Sequence, residues 1–378
     1  MKRLFVIAST AVVLGALLSL AVPSASRAAG PPPLPPGGNC SYDPSPVLGS
    51  YSMYQCRFLG DPASGVPART YWLYLPPGLA AHQRVPLVVY LHGCEQTAVD
   101  AAAGSEFNQL AAARGFMVAY PQQNDTAPSS APLADGNGVS CWNWFLPQDQ
   151  ARGAGEPAAI AGITRQIINA RTVASRRVYI DGISAGADMA DIVAVTYPDL
   201  FAAGAALAGC AFQTCTDVTG RAAYQTMAAR ARVVPFLIEQ GTADTLNPFP
   251  LGQTLVQQWL GTDSLAGHDQ LGPRPSSIQN YGLNQTPAPG SGNACVYTTH
   301  YNFPCPGGII GFQGTYPYTV ETYRTPRGCD VIDFWIIHGL EHAYPGGNPE
   351  GSYTDPLGPD ITQVAYDFFS HHARGACS

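Results

Sequence analysis

The sequence predicts an α/β fold in which a mostly parallel sheet carries helices on both faces. Short β-branched and apolar runs alternate along the chain with longer segments of helical character, a pattern typical of this class. The run Val85–Leu91 is apolar throughout, as expected of a central parallel strand that is covered on both sides. A second run, residues 176–180, leads through a Gly-x-Ser-x-Gly sequence into a helical segment. Because this arrangement is typical of the nucleophile turn of α/β-hydrolases, we predict an α/β-hydrolase fold.

The Gly-x-Ser-x-Gly sequence is centred on Ser184. A catalytic Ser in such a turn needs a strained conformation that pushes its hydroxyl out of the sheet, and Gly182 and Gly186 leave room for the strand and the helix to pass closely. The backbone N–H of Ala185 would lie at the helix N-terminus, where a developing oxyanion is stabilised. A chance match is the alternative in a chain with 40 Gly, but the flanking strand and helix favour the nucleophile turn.

Each of the remaining elements is predicted from a local pattern. Strands are expected where β-branched, aromatic or apolar runs stop at Pro, Gly or polar residues, which gives residues 69–75, 85–91, 116–120, 176–180, 201–207, 232–240, 319–323 and 331–337. Helices are expected at residues 97–114, 156–174, 187–194, 250–260 and 359–372. Thr97 could cap the first helix, and Pro157 suits the first turn of the second. The loop that follows residue 121 is long enough to favour a functional role.

The N-terminal residues predict export. In residues 1–29, Lys2 and Arg3 precede an apolar stretch that ends in a small-residue cleavage site, which is the pattern of a secretory signal peptide. We therefore expect a secreted, extracellular protein that has no membrane anchor after signal removal. Residues 30–65 are predicted to be a Pro-rich leader followed by an irregular segment. Residues 66–378 are predicted to be a single catalytic domain with an insertion at about 261–314, and a two-domain chain is the weaker alternative.

Charge and composition exclude several functions. The formal net charge of −7 becomes −10 once Lys2, Arg3 and Arg27 leave with the signal peptide, and an acidic chain without a basic run is a poor binder of nucleic acid. Because Lys2 is the only Lys in the sequence, the mature chain has none for a Schiff base, a pyridoxal-phosphate site, a Walker A loop or a Ser–Lys dyad. No cofactor is expected.

The ten Cys residues favour disulfides, because their number is even and the chain is predicted to be exported. Proximity in sequence suggests the pairs Cys40–Cys56, Cys210–Cys215 and Cys295–Cys305, so that Cys94–Cys141 and Cys329–Cys377 would remain. Proximity is weak evidence, and connectivity cannot be read from sequence alone, so the pairing stays open at this point.

A Ser nucleophile needs a base to take its proton, and the base needs an acid to orient it. In α/β-hydrolases these partners follow the Ser in the order acid, then His, on loops at the carboxyl edge of the sheet. Asp244 and His342 fit this description, because each lies in the loop that follows a predicted strand. The predicted triad is therefore Ser184, Asp244 and His342. Competing candidates are His338, His300 and His268 for the base, and Asp263 and Asp330 for the acid.

The second oxyanion donor should come from the loop after the early central strand. That loop contains the backbone N–H of Cys94, and Gly93 lets the chain approach the reaction centre closely. His92 is expected to brace the loop rather than to catalyse. Residues 338–342 also fit the H-x-x-E-H pattern of zinc proteases, but Gly339 and the Pro-Gly-Gly at 345–347 disfavour the helix that this pattern needs. No metal site is predicted.

Five short motifs occur in a fixed order along the chain. They are Leu-His-Gly-Cys-Glu-Gln-Thr at 91–97, Cys-Trp-Asn-Trp-Phe at 141–145, Gly-Glu-Pro at 155–157, Gly-Ile-Ser-Ala-Gly at 182–186 and His-Ala-Tyr-Pro-Gly-Gly at 342–347. Together they resemble the poly(3-hydroxybutyrate) depolymerase family, which is kin to the secreted feruloyl and acetylxylan esterases. The resemblance covers about residues 70–373.

The resemblance implies the same triad, with Cys94 as an oxyanion donor and a Cys94–Cys141 disulfide beside the pocket. It also implies that Trp142 and Trp144 lie near the substrate, and Gln96 and Tyr344, from the same motifs, are the other candidate substrate-binding residues. The implied activity is that of a secreted, monomeric serine esterase that hydrolyses a polyester or its oligomers through an acyl-enzyme. The alternatives are a feruloyl or acetylxylan-type esterase of plant cell-wall polysaccharide, and a binding protein that has lost activity.

The resemblance also carries an expectation about the form of the substrate. Depolymerases of this family commonly have a separate polymer-binding module, and no linker or module follows the catalytic region in this sequence. We therefore expect efficient hydrolysis of short-chain esters and of soluble or amorphous oligoesters, and slow attack on crystalline polymer. Exposed aromatics could bind an apolar ester surface, and the alternative is that they pack into a local core. The candidates are Trp142, Trp144, Tyr344, Tyr297, Tyr301, Tyr316 and Tyr318.

Overall fold

Buried apolar runs form the centre of a large sheet, and antiparallel strands extend that sheet on both sides. The structure is a computed structural model that describes residues 40–43, 52–80, 83–125, 136–170, 173–281 and 316–377. The strands of the sheet in these ranges are β1 (Cys40–Asp43), β2 (Met53–Phe58), β3 (Arg69–Tyr74), β4 (Val85–Leu91), β5 (Met117–Pro121), β6 (Val173–Gly182), β7 (Ala203–Leu207), β8 (Phe236–Gly241), β9 (Ser277–Tyr281), β10 (Tyr318–Arg324) and β11 (Asp330–Ile337). Two short strands, β12 (Tyr344–Pro345) and β13 (Thr354–Asp355), pair with each other outside it.

The strand order is β1-β2-β3-β5-β4-β6-β7-β8-β11-β10-β9. The six strands from β5 to β11 in this order run parallel, whereas β1 to β3 and β9 to β10 are joined to their neighbours in antiparallel fashion. Every residue of β4 is buried, which fits a central strand that is covered on both faces. The predicted fold class is therefore confirmed.

Helices cover both faces of the sheet. In chain order they are α1 (Ala98–Ser105), α2 (Phe107–Arg114), α3 (Gly155–Ala170), α4 (Ala185–Thr196), the short turn α5 (Phe212–Cys215), α6 (Arg221–Met227), α7 (Pro250–Gly267) and α8 (Ile361–His371). One core forms beneath α3, α4, α6 and α7, where Trp259 stacks on Phe236. The other forms beneath α1, α2 and α8, where Phe369 stacks on Tyr179. The parallel strands lie between the two cores, so the loops at the ends of these strands start from rigid positions.

Three boundaries differ from the sequence prediction. The helix predicted at 97–114 is two helices, because Glu106 takes a left-handed backbone conformation with φ of 56° that ends α1; Thr97 does cap α1 and accepts from the Asp100 N–H. Residues 261–267 continue α7, and β9 adds a polar edge strand, so the predicted insertion is too long at its start. The segment expected to be irregular contains β2, which pairs with β3 along five residues.

Disulfides join Cys40 to Cys56, Cys94 to Cys141, Cys210 to Cys215 and Cys329 to Cys377. Two of the proximity pairs and the pair that the motifs implied are thereby confirmed. The predicted Cys295–Cys305 pair lies outside the described residues, as do the predicted signal peptide and most of the insertion. Within the described ranges, no helix combines the length and the apolar character needed to cross a membrane.

Candidate active site

Ser184 occupies a sharp turn between β6 and α4. Its backbone has φ of 57° and ψ of −128°, a conformation that is strained for a residue with a side chain, and its N–H donates to the Leu207 carbonyl over 2.9 Å. A Cβ on Gly182 would lie 2.4 Å from the Gly186 carbonyl oxygen, and a Cβ on Gly186 would lie 2.3 Å from the Leu91 carbonyl oxygen. Both glycines are therefore required by the close passage of strand and helix.

The structure brings Ser184, His342 and Asp244 together in the predicted order. The Ser184 Oγ lies 2.9 Å from His342 Nε2, and His342 Nδ1 lies 2.8 Å from Asp244 Oδ2. Because a carboxylate can only accept, Nδ1 carries the proton and Nε2 is left free to accept from the Ser hydroxyl. The loop after β8 supplies Asp244 and the loop after β11 supplies His342, so the carboxyl edge of the sheet assembles the three groups.

Backbone donors fix the Asp244 carboxylate. Its Oδ1 accepts from the N–H groups of Leu246 and Asn247, each at 2.9 Å, and its Oδ2 accepts from Gln240 Nε2 at 3.2 Å as well as from His342. The side chain is fully buried. A carboxylate with this many donors is held in one orientation, which in turn holds the imidazole in one tautomer and one position.

The competing candidates have other partners. His338 Nε2 lies 2.9 Å from Thr319 Oγ1, and His268 is exposed at the end of α7. Asp263 accepts from the Val234 N–H, and Asp330 pairs with Arg324. Residues 338–342 form turns rather than a helix, so the two His side chains of the zinc-protease pattern face different partners. His300 lies outside the described residues.

A cavity of about 230 Å³ opens beside the Ser184 hydroxyl. Its lining residues are Gly93, Cys94, Gln96, Ile183, Ser184, Leu246, His342 and Tyr353. Ala185 is the first residue of α4, so its N–H has no carbonyl within the helix to donate to. The Gly93 N–H donates to Gln96 Oε1, which leaves the next N–H, that of Cys94, as the candidate donor from this loop. The two predicted oxyanion donors thus flank the Ser from different elements.

Buried groups hold the loop that carries Cys94 in position. Trp142 Nε1 donates to the His92 carbonyl over 3.0 Å, and the Cys94–Cys141 disulfide ties the same two segments together. The His92 ring donates from Nδ1 to the Gly93 carbonyl and accepts at Nε2 from the Gln123 N–H. Burial lowers the pKa of His92 to about 4, so the ring remains neutral. His92 thus contacts the loop and not the triad.

A second buried network supports these segments and was not identified from the sequence. Glu156 is fully buried at the start of α3 and forms an ion pair with the equally buried Arg69 over 3.0 Å. Its two oxygens also accept from the N–H and the side-chain amide of Asn143, and from the side chain of Gln123. Gln123 in turn donates to the Cys141 carbonyl. Glu156 therefore connects the Cys141 loop to the segment after β5 in which Gln123 contacts His92.

The four candidate substrate-binding residues take different positions. Gln96 lines the cavity, but its amide is already used, because Nε2 donates to the Ser352 carbonyl while Oε1 accepts from Gly93. Trp142 is 0% exposed and Tyr344 is 3% exposed, with its hydroxyl bonded to Thr362. This burial shows that the expected contact with substrate is wrong for both residues, because neither side chain is accessible from the cavity. Trp144 is half-buried against Phe145 and is not part of the lining.

Two cavity residues were missed. Leu246 is 67% exposed and follows Asp244 by two positions. An apolar residue in the loop that carries the catalytic acid could have indicated a place in the cavity lining. Tyr353 belongs to a segment between His342 and α8 that has no recognisable motif. Its position depends on pairing between β12 and β13, which the sequence pattern does not reveal.

Comparison with known proteins finds esterases that are similar to this chain. Residues 69–256 match the family model described as Esterase PHB depolymerase. The chain is 30% identical over 277 residues to poly(3-hydroxyalkanoate) depolymerase C of Paucimonas lemoignei, covering 72% of this chain and 58% of that protein. It is 32% identical over 309 residues to acetylxylan esterase A of Aspergillus ficuum, covering 78% of this chain and 86% of that protein.

The chain belongs to the esterase PHB depolymerase family. The resemblance seen in the motifs is thereby confirmed. The aligned part of the chain spans 58% of the Paucimonas depolymerase and 41% of the acetylxylan esterase A of Emericella nidulans. Among solved structures, an acetyl xylan esterase from Aspergillus awamori has a TM-score of 0.57 at 19% identity, covering 85% of this chain and all of that one. This last likeness supports the α/β-hydrolase fold.

Asp181, three residues before Ser184, gives the nucleophile strand a pH-dependent stability. Burial raises the pKa of its carboxyl from 3.8 to about 8. Between these pH values the folded state binds a proton that the unfolded chain lacks, so the contribution of Asp181 to the free energy of unfolding declines as the pH rises. Asp181→Asn cannot ionise, so it is expected to reduce the decline of the free energy of unfolding with pH by up to about 1.4 kcal/mol per pH unit. Denaturant unfolding at pH 5, 6 and 7 measures it.

Asp188 will leave a residual slope in that experiment, since burial also raises the pKa of its carboxyl to about 8. Asp367→Asn serves as the matched control, because Asp367 is solvent-exposed and forms a surface pair with Arg114. An Asp181→Asn variant whose free energy of unfolding keeps the full pH dependence of the unmodified protein would contradict the assignment.

Proposed function

We propose that this protein is a secreted serine carboxylesterase that hydrolyses polyester of the poly(3-hydroxybutyrate) type, or its oligomers, through an acyl-enzyme. The observation that carries the proposal is the hydrogen-bonded chain from Ser184 through His342 to Asp244, with the Ser hydroxyl at a cavity. Family membership supports the ester class, and the likeness to the Paucimonas depolymerase supports the polyester.

The geometry suits a two-step reaction. His342 Nε2 takes the proton from the Ser184 hydroxyl as its oxygen attacks the ester carbonyl, and the carbonyl oxygen gains negative charge. The N–H groups of Cys94 and Ala185 donate to that oxyanion. His342 then gives its proton to the departing alcohol, leaving the acyl group on Ser184. In the second step His342 removes a proton from water, which attacks the acyl-enzyme and releases the acid.

Extracellular location is part of the proposal. Four disulfides join Cys residues within the part of the chain that the structure describes. Disulfides persist in oxidising compartments. The signal-like residues 1–29 support the same location. No cofactor is assigned, because the triad, the two backbone donors and water account for every proton and bond in the reaction.

An acetylxylan esterase is the second candidate. The observation in its favour is coverage, because the alignment includes 86% of the Aspergillus ficuum enzyme but only 58% of the Paucimonas depolymerase. Both candidates use the same triad, so they differ only in the alcohol and acyl groups that the cavity and its rim admit. A binding protein that has lost activity is the third alternative. The intact hydrogen-bonded triad argues against it.

Labelling and a substrate screen test the proposal together. A fluorophosphonate probe should label the full chain on Ser184 and should not label Ser184→Ala. Hydrolysis is then compared on 3-hydroxybutyrate oligomers, amorphous poly(3-hydroxybutyrate), acetylated xylan and feruloylated sugars. Faster release from the hydroxybutyrate substrates is the expected result. Acetate release from xylan without attack on the oligoesters would transfer the assignment to the second candidate, and absence of label would favour a binding protein.

A further inference from the structure

Tyr353 forms one wall of the cavity beside Ser184. It reaches this position because β13 begins at the next residue and pairs with β12, and because the Tyr344 N–H donates to the Tyr353 carbonyl over 2.7 Å. The residue before it is also fixed, since the Ser352 carbonyl accepts from Gln96 Nε2 and the Ser352 N–H donates to Asp100. The wall is therefore anchored to the oxyanion loop and to α1.

The aromatic ring is held by a contact between two unusual residues. Tyr353 has φ of 53° and Glu95 has φ of 62°, so both take the left-handed conformation that residues with a Cβ rarely adopt. The Tyr353 hydroxyl donates to Glu95 Oε2. Glu95 is the neighbour of Cys94 and is itself fixed, because its N–H donates to the Val139 carbonyl over 2.7 Å. Strained residues persist where the surroundings over-determine them, and they cluster at ligand sites.

The two walls of the cavity face different parts of an ester. His342 must give a proton to the departing alcohol, so the alcohol side lies toward His342 and toward Leu246, whose N–H is bonded to Asp244. Tyr353 is bonded instead to Glu95, in the loop that carries the oxyanion donor Cys94. The acyl group, which remains on Ser184 after the alcohol leaves, is therefore the part that Tyr353 faces.

The cavity as a whole is small. The whole cavity measures about 230 Å³, below the roughly 300–1,000 Å³ of pockets that enclose drug-sized ligands. A half-buried ring that is hydrogen-bonded at its tip cannot rotate away without losing the Glu95 contact. Long acyl chains would have to displace it.

We propose that Tyr353 is a specificity-determining residue that restricts the acyl unit to short chains, about the size of a hydroxybutyryl group, and that Glu95 positions it. The inference rests on the proposed esterase function and refines it to short-chain acyl esters. Removing the Tyr353 ring should admit longer acyl chains to Ser184.

The experiment compares kcat/KM for p-nitrophenyl acetate, butyrate, hexanoate and octanoate in the full chain and its variants. Tyr353→Asn removes the ring, and Asn tolerates the left-handed backbone. It should raise the octanoate-to-butyrate ratio at least about 10-fold, because a few methylene groups in an apolar pocket are worth that much discrimination. Tyr353→Phe and Glu95→Gln keep the ring and should change the ratio less, in the same direction. Thermal unfolding monitors the fold of each variant.

Leu246→Ala is the matched control, because Leu246 lines the cavity from the loop that carries Asp244. It should change the preference among acetate esters of alcohols of increasing length and leave the acyl ratio where it is in the unmodified protein. An acyl ratio in folded Tyr353→Asn within about twofold of the unmodified value, with butyrate still hydrolysed, would overturn the inference and leave the esterase assignment intact. Failure of the unmodified protein to hydrolyse any of the esters would overturn the proposed function, and the inference with it.

Discussion

Ser184→Ala is expected to lower kcat on a short-chain ester by about 10³-fold or more without unfolding the protein. The variant keeps the cavity and the backbone donors but has no nucleophile to form the acyl-enzyme. The fold should persist because the strained turn is held by backbone contacts, including the Ser184 N–H bond to Leu207, and Ala retains all of them. Far-ultraviolet circular dichroism and the melting temperature check the fold, and initial rates check the activity.

His342→Ala should match this loss, because triad members act as a unit and removing one disables the others. Asp244→Asn should also be severe, since an amide in place of Oδ2 favours the tautomer that carries its proton on the wrong nitrogen. His338→Ala is the matched control: it removes a neighbouring imidazole that contacts Thr319 and not the Ser. A His342→Ala variant with a near-native rate, or a His338→Ala variant with a 10³-fold loss, would contradict the assignment of the base.

The parts of the site that could be predicted are those that local chemistry determines. Gly182 and Gly186 mark the turn because a Cβ at either position would overlap backbone atoms. Asp244 and His342 follow strands whose apolar character is visible in the sequence, and parallel strands bring their carboxyl ends to one edge. Order along the chain then sufficed to choose them among the other acidic and His residues.

The parts that could not be predicted depend on packing between distant segments. The sequence left open whether Trp142 and Tyr344 form a binding surface or a local core, and the structure buries both. Trp142 donates to the His92 carbonyl, and the Tyr344 hydroxyl is hydrogen-bonded to the Thr362 hydroxyl. Whether a loop aromatic faces solvent or a core is decided by what packs on it, and adjacent sequence does not record this. The same holds for β9, whose polar residues form a strand because β10 pairs with them at the edge of the sheet.

Removal of the Cys94–Cys141 disulfide is expected to reduce kcat by about 10²-fold, the lower end of the loss seen when one oxyanion donor is removed. The backbone N–H of Cys94 survives in a Cys94→Ala, Cys141→Ala double variant, but its position no longer has a covalent tie to the Trp142 segment. The Glu95–Val139 and Gln96–Gly93 hydrogen bonds still hold the loop in part, which is why complete inactivation is not expected. Mild reduction of the unmodified protein should act in the same direction.

The kinetic pattern distinguishes loss of a donor from general loosening. An oxyanion contact exists in the transition state and not in the ground state, so kcat and kcat/KM should fall together while KM changes little. The Cys40→Ala, Cys56→Ala double variant is the matched control, because that disulfide joins the edge strand β1 to its neighbour β2. This variant should leave kcat unchanged. Peptide mapping that finds Cys94 as a free thiol in the active protein, or a Cys94/Cys141 double variant with native kcat, would show that the loop holds its donor without the disulfide.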